Sequence, residues 1–237
     1  MVINAKTNTK NSNSYEFRLL DTDQKNTRSS SCHGNQNAEV RQLTKLNLQA
    51  EKLERIRNLT KVVKGNAYQF LGYTLDLETS QFHDLLEKST VHSDWGVQSM
   101  AALLTHYSLA NETPKTGKLV KFKDLPGGYA YEQAFTNRAV NPIAQFFGNN
   151  PLELAEAAKL FGGKRLDYGD LSVEIPALEG IPIVYIIWAA HEFQASATVL
   201  FDESASCFLD TESLACLGEL TTHRLLNAQA MLREKKQ

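Results

Sequence analysis

The sequence predicts an α+β fold, an antiparallel sheet packed with several helices, and three observations predict it. Amphipathic or capped helical segments dominate the chain up to about residue 163. Three strand-like segments then form a meander near residues 165–201, joined by links of four to six residues, too short for parallel crossovers. A final helical stripe closes the chain. Helices first, strands after and a helix last is not a βαβ alternation.

Composition bounds the rest. A chain of 237 residues, 42% hydrophobic and 22% charged, is long enough for one well-buried core. A net charge of -2 and a pI near 6.3 generate no global field toward nucleic acid or an anionic membrane, so neither is expected as a partner. The longest apolar run, Ile181 to Ala190, falls short of the roughly eighteen residues a membrane span requires, and the polar start has no signal-peptide core. Cys32, Cys207 and Cys216 are too scattered for a disulfide framework. The expectation is a soluble, cytoplasmic protein.

Residues 1–37 are rich in Asn, Ser, Thr and Lys, with one apolar patch at Phe17 to Leu20, and read as a disordered tail. Over 38–64, Leu43, Leu46, Ala50, Leu53 and Ile56 recur at steps of three and four, which predicts an amphipathic helix. The remainder, 65–237, reads as a single α+β domain. Ala67 to Leu77 alternates around Gly72 and predicts a strand or hairpin, and a helix follows from Asp94 to Ala110. After a basic connector, Lys115 to Lys123, Pro126-Gly127-Gly128 predicts a turn with a helix from Tyr129. Asn141-Pro142 and Asn150-Pro151 each set a capping side chain before a helix-starting proline, and Gly162-Gly163 ends the second helix. Leu171, Val173 and Ile175 alternate with Ser172 and Glu174 in a strand with one buried face; Ile181 to Ala189 fits a strand buried on both faces; Ser196 to Phe201 makes the third. Asp210 caps a helix whose apolar stripe runs from Leu214 to Leu232.

No phosphate loop, dinucleotide fingerprint, Cys-x-x-Cys pair or Gly-x-Ser-x-Gly elbow is present. Gly127-Gly128 before a helix has the form of an anion cradle, although turn formation alone explains it. His106 projects from a mostly apolar helix beside Tyr107; a hydrogen-bonded core histidine is the blander reading. His191 and Glu192 follow the buried strand that ends in Trp188, a position suited to shifted pKa values. Tyr131, Phe135 and Arg138, at steps of four and three, share a helical face from which Arg138 reaches an anion, unless it simply pairs with Asp170 or Asp202. The two C-terminal cysteines have no local acid-base partner.

Leu104 to Tyr107, Pro126-Gly127-Gly128, Ala134-Phe135, Phe147-Gly148, Gly162-Gly163, Tyr168-Gly169-Asp170, Trp188 with Glu192-Phe193, and Leu200-Phe201-Asp202 stand in an order and spacing that resemble the uncharacterised family numbered 3786 among domains of unknown function. The resemblance covers about Gly72 to Leu226. It implies no established activity. Some members join this domain to an iron-sulfur module, which implies redox, corrinoid or other cofactor metabolism, yet three scattered cysteines cannot hold a four-iron cluster. The segment Ala189 to Gln194 departs from the family pattern, which is more acidic there and carries a proline.

The leading expectation is therefore a cofactor- or small-ligand-binding accessory protein, tetrapyrrole, corrinoid or metal metabolism included, with a small molecule or a redox or cofactor-metabolism protein as partner. The candidate ligand-binding residues are His106, Tyr107, Tyr131, Arg138, Asp170, Trp188, His191, Glu192 and Asp202. No metal ligand set is read from the sequence, and the cofactor is not identified. The alternatives are a cofactor-independent hydrolase or lyase using a histidine with Glu192 or Asp170, and a protein-interaction domain.

Overall fold

Strand pairing and one long helix organise the chain. The structure, a computed structural model, describes residues 44–46, 48–60, 65–84, 86 and 94–235, all within a unit spanning Val40–Gln237. The tail expected over residues 1–37 lies outside the described residues.

Two antiparallel sheets are present, so the fold is α+β as expected. The first holds β1 (Thr44–Lys45), β2 (Ala67–Phe70), β3 (Tyr73–Asp76) and β4 (Gln81–Asp84) in the order β1-β4-β3-β2. The hairpin expected around Gly72 is the β2–β3 turn, where Leu71 and Gly72 take φ of 48° and 75°; the glycine accepts this without strain. The helix expected over 38–64 is corrected within the described residues: Thr44–Lys45 is extended, and helix α1 spans Ala50–Leu59. Pairing with Phe82 and Gln81, and the Leu46 amide donating to the Ser80 carbonyl at 3.0 Å, hold this stretch straight against its helical periodicity. Leu53 and Ile56 still face the core.

The second sheet contains β5 (Leu119–Lys121), β6 (Lys164–Leu166), β7 (Leu171–Leu178), β8 (Ile181–Trp188) and β9 (Ser196–Asp202) in the order β5-β9-β8-β7-β6. The β7-β8-β9 meander is as expected, with β8 central and buried up to Trp188. The expectation that Ser172 faces water is corrected: it is fully buried, and its hydroxyl accepts the Tyr168 amide at 2.9 Å.

Helices pack around these sheets. Helix α2 (Asp94–Ser108) buries Met100, Leu103, Leu104 and Tyr107, and Arg55 ties α1 to its end by donating to the Ser108 carbonyl at 2.6 Å. The Pro126 turn forms as expected, with Gly127 at φ 75° and Gly128 so close to Phe122 that a Cβ would lie 1.9 Å from its carbonyl oxygen. The two helix starts assigned to Asn141 and Asn150 are corrected. Helix α3 (Glu132–Phe135) runs without a break through a π-helical turn, Thr136–Val140, into α4 (Asn141–Phe147), so Asn141 caps nothing. Pro142 has no amide to donate to residue 138, and the wider turn absorbs that missing bond within a continuous helix. Helix α5 (Leu152–Lys159) starts just after Pro151 but takes no side-chain cap from Asn150; Gly163, whose amide reaches the Ala158 carbonyl at 2.9 Å, closes it. A single turn, α6 (Ala205–Phe208), precedes α7 (Thr211–Glu234), capped by Asp210 through the Ser213 amide at 2.7 Å.

Candidate functional site

The nine candidate residues separate into five places. Tyr107 is buried and donates its hydroxyl to the Glu179 carbonyl at 2.9 Å, while the Glu179 amide donates to the Tyr68 hydroxyl at 3.1 Å. Burial pushes both phenols well above their ordinary range, so they act as neutral clasps on the β7–β8 turn.

The blander expectation of a core histidine is corrected: His106 lies beside the Leu103, Leu104 and Tyr107 stripe with its side chain 48% exposed. Its Nδ1 stands 2.7 Å from Ser213 Oγ and 3.4 Å from Asp210 Oδ2. A serine, a histidine and an aspartate thus meet, but both partners address the same ring nitrogen, whereas a nucleophile relay needs one on each. The contact pins α2 to the first turn of α7. Burial raises the Asp210 carboxyl, but the Ser213 amide and hydroxyl, then His106, outweigh it and hold it low.

Two departures from α-helical geometry dissolve the face expected of Tyr131, Phe135 and Arg138: Tyr131 ends a 3-10 turn, Gly128–Tyr131, and Arg138 lies in the π-helical turn. Phe135 is buried, Tyr131 is half exposed, and Arg138 pairs at 3.5 Å with Glu219 rather than with Asp170 or Asp202. An extra residue in that turn carries Arg138 round the axis from where α-helical spacing puts it. Burial raises the Glu219 carboxyl, against the pull of Arg138, and it pushes the nearby Cys216 thiol up to about 11. Such a thiol is a poor nucleophile.

Asp202, 2% exposed, is a loop organiser. It accepts from the amides of Thr116, Gly117 and Ser204 and from the hydroxyls of Thr116 and Ser204, at 2.6–3.0 Å. Burial alone raises this carboxyl; the bonds from Ser204, Thr116 and Gly117 overcome that and hold it far below the usual carboxylate range.

Asp170, Trp188 and His191 come together. With Ala189, Phe193, Gln194 and Ser196 they line a shallow, open concavity of about 550 Å³ at the end of β8. Asp170 Oδ2 accepts the Ala189 amide at 2.7 Å, and the Asp170 amide donates to the Ile187 carbonyl at 3.1 Å, which ties the turn before β7 to the end of β8. Gly169, at φ 57°, lets that turn pass against the sheet: a Cβ there would meet Ile186 Cγ2 at 2.8 Å and Trp188 Cε2 at 3.3 Å. The Ala190 amide donates to the Gly148 carbonyl at 3.0 Å, which anchors the loop on the end of α4. Glu192 sits in the same exposed loop and is not among the lining residues.

This corner joins Phe147-Gly148, Tyr168-Gly169-Asp170, Trp188 and Phe193, segments scattered over 47 positions of chain. A family model described as a domain of unknown function (DUF3786) matches residues 63–224. The chain belongs to this family. No curated protein and no solved structure matches it. The DUF3786 domain thus spans every element from the first hairpin to the middle of α7, the whole concavity included. It brings no established chemistry with it.

His106 and His191 serve different ends of the molecule. Tyr107 touches Glu179, just before β8, whereas His191 follows Trp188, at its far end; eight strand residues span roughly 23 Å. The hydrolase arrangement that couples His106 to Asp170 or Glu192 is not formed. Phe193, 83% exposed, and the Asp210–Ser213 cap were absent from the candidate set, and the exposed aromatic in an Ala-rich link was the available signal for the first. Among the described residues, no group of three or more His, Cys, Asp or Glu is disposed to hold a metal ion, and no helix is long and apolar enough to cross a membrane.

Proposed function

We propose that this DUF3786 chain is a small-ligand-binding accessory protein whose site is the concavity at the end of β8. One observation carries the reading. Trp188 ends a strand that is otherwise buried, yet it is 41% exposed and shares an open concavity with Phe193, itself 83% exposed, around Asp170 and His191. Large rings grouped about a few polar atoms are the composition of a contact site.

The cofactor classes that the resemblance implies fit less well. An iron-sulfur cluster needs four thiolates, and Cys216 is pushed away from the thiolate form. A tetrapyrrole with carboxylate arms calls for cationic partners, and the lining offers an aspartate, with neither lysine nor arginine. A second reading, a hydrolase or lyase, is favoured by His191 and Asp170 lining the same concavity, where an imidazole and a carboxylate have the right chemistry for proton transfer.

The test uses tryptophan emission and thermal unfolding of the full chain against a panel of haem, other tetrapyrroles, divalent metals and small organic cations, neutrals and anions. Binding at this site raises the melting temperature and perturbs emission in wild type but not in Trp188→Phe. No response to any ligand class removes the proposal. Turnover of hydrolase substrates, lost in His191→Gln, would move the assignment to the second reading.

A further inference from the structure

Within the ligand-binding reading, on which this inference rests, the lining itself selects a ligand class: we infer that the concavity accepts a small organic cation, a methylated ammonium group against Trp188 and Phe193 with Asp170 as its counter-charge. Three observations point the same way. Trp188, which Gly169 approaches, and Phe193 are both large and exposed and line the same concavity, so each has aromatic surface available to a ligand. An aromatic face carries negative charge density, which attracts a cation and offers nothing to an anion.

The one acidic side chain in the lining is Asp170, and its position is built rather than accidental. Oδ2 is held by the Ala189 amide at 2.7 Å, which fixes the carboxylate beside the end of β8 and leaves Oδ1 for a ligand. The remaining polar groups, from His191, Gln194 and Ser196, suit hydroxyl or amide substituents. The lining contains no lysine or arginine to pair with the acid or to stack on the rings. A methylated ammonium, weakly hydrated and apolar at its surface, matches two rings and one acid better than a primary ammonium, which gives up more hydration.

The deciding experiment compares two probes of the same shape. Choline and its uncharged carbon isostere, 3,3-dimethylbutan-1-ol, are titrated into the full chain, with the Trp188 indole followed by NMR or fluorescence. The expected result is binding of choline at least tenfold tighter than of the isostere. Asp170→Asn, which keeps an oxygen for the Ala189 amide while removing the charge, should weaken choline about five- to tenfold at unchanged melting temperature, and Trp188→Leu, titrated by calorimetry because the indole reporter is gone, should show no choline binding. A trimethyllysine peptide run in parallel tells a free metabolite from a protein-borne group. Equal affinity for choline and the isostere, or preference for an anionic probe, overturns the cation inference while the ligand-binding reading stands. Silence toward every probe overturns both.

Discussion

Arg224 and Asp84 meet across 140 residues of chain in a two-point ion pair, with Nη1–Oδ2 and Nη2–Oδ1 both 2.6 Å and both side chains 1% exposed. The guanidinium also donates through Nε to the Leu71 carbonyl at 2.9 Å and lies 4.0 Å over the Tyr73 ring. One residue of α7 therefore holds the end of β4, the β2–β3 turn and the Tyr73 ring of β3 together. Gly72 permits the approach, since a Cβ there would lie 2.9 Å from Arg224 Nη2.

Removing one partner strands a buried charge. Asp84→Ala and Arg224→Met should each lower stability by about 3–5 kcal/mol, and the double variant should lose clearly less than the sum. Urea midpoints of the four proteins check this. Additive losses would mean that the two charges are independently solvated.

Asp202 ties stability to pH. Its carboxyl is held below its unfolded value, so its contribution is fully present above the unfolded carboxylate pKa and is lost as pH falls through the folded one. Asp202→Asn should cost about 2–4 kcal/mol at pH 7. The difference from wild type should shrink below about pH 4. Thermal unfolding of both proteins between pH 7 and pH 3 measures it, and a gap that widens toward acid would contradict the assignment.

Thr222 supports the π-helical turn. Its hydroxyl donates to the Ala139 carbonyl at 2.8 Å and meets the Tyr185 hydroxyl at 3.1 Å, all buried. Thr222→Val keeps the shape and leaves two polar groups short of a partner, for an expected loss of about 1–3 kcal/mol, which Thr222→Ser should largely restore. Denaturant titration decides, and an unaffected valine variant would show that the turn needs no such support.

His106 now has a structural prediction. With its side chain half exposed, its contact with Ser213 and Asp210 should contribute no more than about 1 kcal/mol, so His106→Ala should be mild, while Asp210→Ala, which removes the cap of a 24-residue helix, should cost about 1–2 kcal/mol. Ligand response at Trp188 should survive both. Loss of that response in His106→Ala would return His106 to the functional site.

Elements were legible where the deciding interactions are local. Continuous apolar character marked β8, Pro126-Gly127-Gly128 marked its turn, and Asp210 marked the start of α7, each within a few residues of the group it serves. Of the candidate site, Trp188 and His191, read from the end of β8, line one concavity with Asp170, which was read as a partner for Arg138 or a histidine; Glu192, read from the same strand end, is not in that lining, and Tyr131 and Arg138, read from helical spacing, lie in 3-10 and π-helical turns to which α-helical spacing does not apply.

The amino-acid sequence by itself determined the α+β class, the meander, the hairpin at Gly72 and the membership of the DUF3786 family, since periodicity, turn chemistry and ordered motifs are properties of neighbours in the chain. Tertiary structure alone decided which polar groups meet. Arg138 found Glu219, His106 found Ser213, Ser172 was buried in β7 beside β8, and Leu46 was drawn straight by Ser80. The reason is geometric: a charge or hydroxyl pairs with whatever group the closed fold brings within about 3 Å, and that group lies scores of residues away as often as in the next turn.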